Sequence, residues 1–313
     1  MHGAPSQRRI GEARSTVDTR KVLHAQHRLQ HYELAELPLH VFAAVLFAAL
    51  LHATWNAIVK SAGDKFLTTI MVTAAAAAVS ACLLPFLTAP ARASWPCVGG
   101  SVLLQYAYFW LVARTYEAAD MSQTYPLMRG TAPLLVALFT VFRMGDSLSA
   151  IAWIGLIGIC IGILSMTLGS KLKHRNGIAL ALLNALVIAA YTLVDGVGVR
   201  RSGSPAAYTL WVFLLTGIPF SIWAMTRRRT AFLPYVARHW RIGLVGGIGV
   251  TASYGIALWA MTLAPIAVVA ALRETSILFG TLMAGIVLKE HIGARRLLAA
   301  CIIAGGAAIL RMA

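Results

Sequence analysis

Acidic residues are scarce in this chain: 11 Asp and Glu stand against 27 Lys and Arg in 313 residues. From residue 39 onward the acids are Asp64, Glu117, Asp120, Asp146, Asp195, Glu274 and Glu290. Charged residues of both signs reach 12%, where a soluble domain carries roughly 25%. A soluble core of this size needs a charged shell that the chain does not have, so a soluble globular protein is excluded. Cysteine is sparse too. Cys82, Cys97, Cys160 and Cys301 lack CxxC spacing and read as small buried residues, not as a disulfide framework or metal site. Neither an HExxH metal motif nor a phosphate-cradling GxxxxGK[ST] loop occurs. The expectation is therefore no enzyme, no metal, no cofactor and no direct use of ATP.

What is present is apolar sequence, 59% of the chain. Crossing a bilayer takes about 20 apolar residues. Such runs fall at 39–61, 67–88, 96–115, 121–142 and 149–169, and again at 177–197, 205–225, 241–261, 265–288 and 294–311. The longest connection, about 226–240, is too short to hold a domain. The net charge of +16 lies in short loops between runs, a pattern that anchors loops at a membrane face. A continuous basic surface for nucleic acid is missing, so nucleic acid is not an expected partner. Residues 1–38 form a polar tail. His24, His27 and His31 have helical spacing there, but a solvated tail explains them more simply than a metal; Val22, Leu29, Tyr32 and Leu37 allow a weak surface-lying helix.

The chain repeats itself. An offset of 144 residues lays 99–168 on 243–312 without a gap. Gly99 then meets Gly243, Arg129 meets Arg273, Thr131 meets Thr275, Asp146 meets Glu290 and Gly162 meets Gly306. The repeating unit is five spans, and an odd number reverses the second copy in the membrane. The expected fold is an all-α polytopic membrane protein of ten transmembrane helices in two inverted repeats, 39–170 and 171–313.

The order of motifs carries a resemblance. LVARTYEAADMSQTYPLMRGTAPLLVALFTVFRMGDSLS followed by GLIGICIGIL resembles the second half of an EamA module. LKEHIGARRLLAACIIAGGAAIL is similar to that family's C-terminal end, and LLHATWNAIVKS to its first helix. Over 39–313 the chain resembles a ten-span, two-module member of the drug/metabolite transporter superfamily. Pro133 opposite Ile277, and Asp146 in place of the more usual Glu, depart from the pattern. The resemblance implies a transporter of the cell (inner) membrane, termini in the cytoplasm and, since many relatives export, efflux. Positive-inside counting without the tail points the termini outward, and the tail nearly balances that count.

Arginine inside an apolar span is costly and faces protein or water, not lipid. Arg129 and Arg273, one per repeat, can clamp an anionic group such as phosphate, phosphonate or carboxylate, or can instead be tied to carbonyls or an acid to fix helix packing. His52, Trp55, Asn56 and Lys60 share one helical face of the first span. Tyr108 and Tyr254 lie too deep to be interfacial anchors. Tyr125 sits one turn before Arg129, and Tyr191 shares a face with Asn184 and Asp195. Asp195 itself, near a span end, reads as a loop cap. Glu274 and His52 are the groups able to exchange a proton for coupling. Asp146 and Glu290 read as helix N-caps, and Gly155, Gly158, Gly162, Gly305 and Gly306 as sites of close helix approach. The substrate pathway is thus expected along His52, Trp55, Asn56, Tyr108, Tyr125, Arg129, Tyr191, Tyr254, Arg273 and Glu274. A small-molecule substrate, the lipid bilayer, protons and a second copy in a homodimer are the partners this reading admits; an intramembrane enzyme, channel or sensory subunit is the alternative.

Overall fold

The computed structural model describes residues 37–167, 175–286 and 293–313. The tail histidines, Val22, Leu29, Tyr32, Lys289 and Glu290 lie outside the described residues. Eleven helices follow in order among those described: α1 Leu39–Ser61, α2 Lys65–Leu83, α3 Trp95–Ala118, α4 Met121–Phe139, α5 Ala150–Ser165, α6 Arg175–Ser202, α7 Pro205–Arg227, α8 Arg229–Met261, α9 Ile266–Arg273, α10 Ser276–Ile286 and α11 Ala294–Arg311. The backbone satisfies itself within helices, as hydrocarbon demands. Eight helical stretches are long and apolar enough to cross a membrane, with α9 and α10 together forming one of them. Helix α5 is a shorter apolar helix of 16 residues.

Local chemistry sets the boundaries. Asp64 caps α2 by accepting from Leu67 N at 2.9 Å, and Ser149 caps α5 by accepting from Ala152 N at 3.0 Å. Asp146 is therefore not the cap of α5, contrary to its sequence reading. It stands three residues too early, where its own N–H donates to Thr140 O and closes the π-turn Thr140–Met144 after α4. Gly145 completes that turn at φ 74°, a conformation costly for a side-chain-bearing residue.

One expectation about helix continuity is corrected. The segment 226–240 is helix, not connection: α7 ends at Arg227 and α8 begins at Arg229. Phe232, Tyr235 and Val236, at i, i+3 and i+4, form an apolar stripe that packs on Leu67, Ile70 and Met71 of α2. The prolines of α4 do not break it, and the helix runs through Pro126 and Pro133. The interruption comes later in the chain, where Glu274 and Thr275 separate α9 from α10. There Glu274 N, Thr275 N and Ile277 N donate to the carbonyl three residues back, a tightened 3-10-like turn.

The main packing pairs include α5 with α11, α3 with α6, α1 with α8, α2 with α7, α2 with α8, α4 with α6, α1 with α10 and α4 with α9. Glycine permits the close approach of α5 and α11. A Cβ on Gly306 would lie 2.7 Å from Gly155 O, one on Gly155 2.8 Å from Gly306 O, and one on Gly162 2.8 Å from Ile303. Gly158 makes only an ordinary contact and Gly305 faces open space, so the close approach rests on Gly155, Gly162 and Gly306. Large apolar side chains such as Ile154, Ile161, Leu297 and Leu298 stay exposed on the outer faces of α5 and α11. That is the distribution expected of surfaces bathed by acyl chains, where exposure of apolar area costs nothing.

Candidate functional site

Helices α4 and α9 meet in the interior, where each brings an arginine, Arg129 and Arg273. The Arg129 Nε lies 2.8 Å from Glu274 Oε2, with both side chains more than nine-tenths buried. The contact is ionic more than linear: the Nε–H is not aimed at the oxygen, and Nη2 is buried without a hydrogen-bond partner. Desolvating two charges costs several kcal/mol each, which their attraction repays only in part. A fold that accepts this cost while leaving a guanidinium donor unused holds cationic capacity in its interior.

Arg273 is placed differently. Its guanidinium carbon lies 4.9 Å from the centroid of the Tyr254 ring, a cation–π contact. Among the described residues no carboxylate comes within ion-pair distance of it. It is partly accessible, whereas Arg129 is buried.

The structure corrects the loop-cap role expected for Asp195. The residue is fully buried in α6, where its carboxylate accepts from the Tyr208 hydroxyl at 2.9 Å and from the Tyr254 hydroxyl. Three helices, α6, α7 and α8, are tied through this one acid. The loop role fails because α6 runs on to Ser202, seating Asp195 two turns inside the helix. Arg200, also in α6, donates to Met261 O at 2.7 Å and to Ala264 O at 2.9 Å, closing the C-terminus of α8.

Aromatic side chains wall the cluster. Tyr108 and Tyr191 meet edge to face at 5.9 Å, joining α3 to α6, and Phe213 meets Tyr254 at 5.9 Å. Tyr125 feels the charges of both Arg129 and Glu274, and Tyr191 those of Arg129, Arg273, Glu274 and Asp195. His52 feels both arginines and accepts from Trp55 Nε1 at 3.3 Å. Asn56 Nδ2 donates to His52 O at 2.7 Å. The structure thus joins His52, Tyr108, Tyr125, Arg129, Tyr191, Tyr254, Arg273 and Glu274 in one neighbourhood. The hydrogen bonds of Trp55 and Asn56 stay within α1, and Lys60 ends that helix at its exposed tip. Sequence reasoning placed Asp195 on one face with Asn184 and Tyr191 without assigning it to the pathway, and it missed Tyr208 and Tyr116, the last within electrostatic range of Tyr125 and Arg129.

This architecture, a polytopic helical bundle with buried charges walled by tyrosine, is that of a membrane-embedded protein. The comparisons agree. The EamA-like transporter family matches residues 175–312. The multidrug transporter EmrE of Escherichia coli (strain K12) is 32% identical over 77 residues, 25% of this chain and 69% of that protein. A crystal structure of another protein shares the fold, with a TM-score of 0.66 over 86% of this chain and 94% of that one at 17% identity. The chain belongs to the EamA-type transporters of the drug/metabolite transporter superfamily. It is a multi-pass membrane transporter.

Proposed function

We propose that the protein is a secondary transporter that exports small anionic metabolites across the cell (inner) membrane by alternating access. The observation that carries the substrate class is how the interior charges are already committed. Glu274 is engaged by Arg129 and Asp195 by two tyrosine hydroxyls, while Arg273 and the Nη2 of Arg129 retain unused donor capacity. A phosphate, phosphonate or carboxylate supplies what these guanidinium groups lack.

Two inverted five-helix repeats supply the mechanism. Exchanging α1 with α6, α2 with α7, α3 with α8, α4 with α9–α10 and α5 with α11 turns α3–α6 packing into α1–α8 packing and α4–α6 into α1–α10. The pairs α2–α7, α5–α11 and α4–α9 map onto themselves. Such exchange supports ten spans related by a two-fold axis, with Arg129 and Arg273 near it and the halves rocking around them. Proton coupling through Glu274 or His52 completes the cycle. Export rests on the family resemblance.

The test is purified protein in vesicles, with a panel of anionic, zwitterionic and cationic solutes scored first by thermal stabilisation, since a true ligand stabilises by mass action. Hits are then followed as flux under an imposed pH gradient. Stabilisation by anions, lost in Arg273→Ala, supports the reading. Stabilisation by cations alone overturns the substrate class, and flux indifferent to the pH gradient overturns the coupling.

A further inference from the structure

A cavity of about 460 Å3 opens away from the arginine pair, where α1 ends, α2 begins and α8 passes. Its walls are of two kinds. Ile58, Met71, Ile242 and Val245 line its apolar side, while Tyr235, His239 and Arg241 line the polar one. The polar wall is braced: the Tyr235 and Thr68 hydroxyls are 2.6 Å apart, and the Tyr235 ring packs on His239 with centroids 4.4 Å apart.

The level of this cavity follows from helix length. Helix α8 has 33 residues, so it is about 50 Å long against a hydrocarbon core of about 30 Å. Its first turns therefore stand outside the core, and Arg241 lies near the boundary. Exposed aromatics mark the same level: Trp240 beside the cavity, and Phe66 edge-on to Trp223 at 5.7 Å. Basic residues crowd this end, with Lys65, Arg227, Arg228, Arg229, Arg238 and Arg241 all exposed. Asp64, the acid of the α1–α2 connection, spends its carboxylate on the N-terminus of α2.

We infer that this cavity is a binding site for an anionic phospholipid. The headgroup phosphate sits against Arg241 and His239, and an acyl chain runs along Ile242 and Val245. A free anion would use the basic rim but gain nothing from the apolar wall, whereas a lipid matches both halves at the depth where headgroup meets chain. The positive rim selects anionic over zwitterionic headgroups.

Retention of phosphatidylglycerol against phosphatidylcholine by the purified full-length protein, read by native mass spectrometry after detergent exchange, tests the site. Each arginine near the surface contributes about five-fold, or about 1 kcal/mol. The R238Q/R241Q variant should lose phosphatidylglycerol retention by about 25-fold and its preference over phosphatidylcholine. Val245→Trp, which fills the apolar wall and leaves the charge intact, should lower retention of both lipids. Lipid-free melting in detergent confirms that each variant is folded. Retention unchanged in either variant overturns the site. Stabilisation by inorganic phosphate equal to that by phosphatidylglycerol overturns the lipid in favour of a soluble anion.

Discussion

Neutralising Glu274 alone should damage this protein more than removing the whole ion pair. In Glu274→Gln the shape is kept, but Arg129, 7% exposed, is left charged with its counter-ion gone. Breaking one side of a buried pair costs about 3–5 kcal/mol. In Arg129→Met the stranded acid still feels Arg273, so the loss should fall at about 3 kcal/mol, the low end of that range. Replacing both partners by neutral groups of similar volume removes the desolvation cost along with the attraction, and is often close to neutral. The R129M/E274Q double variant should therefore recover most of the stability, leaving a coupling of at least about 2 kcal/mol. Reversible unfolding in mixed micelles, followed by tryptophan fluorescence, measures each corner of the cycle. Additive single effects, with the double variant as unstable as their total, would refute the reasoning. Flux separates helix holding from substrate holding: a stable double variant that still transports an anion shows that Arg129 only fixes the helices.

Three further outcomes follow from the geometry. Gly306→Ala places a Cβ 2.7 Å from Gly155 O and should cost about 1–3 kcal/mol, while Gly305→Ala, facing open space, should be silent in the same melting assay. Asp195→Asn keeps the size but weakens two hydroxyl bonds to a charged acceptor; a loss of about 2 kcal/mol is expected, with Tyr208→Phe costing less than Asn at 195. Tyr254→Leu removes the ring beneath Arg273 and should weaken the thermal shift produced by an anionic ligand, whereas Tyr254→Phe keeps the ring and should preserve it.

The helical architecture was legible because apolar runs and helix length are local properties. The observed helices begin and end within a few residues of most expected spans, and the glycines at 155, 162 and 306 mark a close contact of α5 with α11. What escaped were partners distant in sequence. Asp195 lies close enough to Arg200 and Arg201 to look like a loop acid, and only the fold carries Tyr208 and Tyr254 to it. The stretch 229–240 looked like a connection because its arginines dominate composition, while its apolar stripe has meaning only against α2. Helix α4 runs through both of its prolines, while the interruption falls at Glu274–Thr275 where no proline stands.

The asymmetry between the two arginines has a steric origin. The 144-residue offset that carries Arg129 onto Arg273 carries Gly130 onto Glu274. Two guanidinium groups brought together in the interior would repel, and an acid at position 274 offsets this. The first copy cannot supply it: a Cβ on Gly130 would lie 2.8 Å from Leu164 Cγ and 3.3 Å from Ile163. The second copy can, because its tightened turn at Glu274 sets that side chain toward Arg129 and its neighbour Arg273 toward Tyr254. One arginine is thereby neutralised and buried, and the other remains partly accessible. For the anionic substrate proposed above, that division leaves Arg273 accessible while Arg129 is held by Glu274.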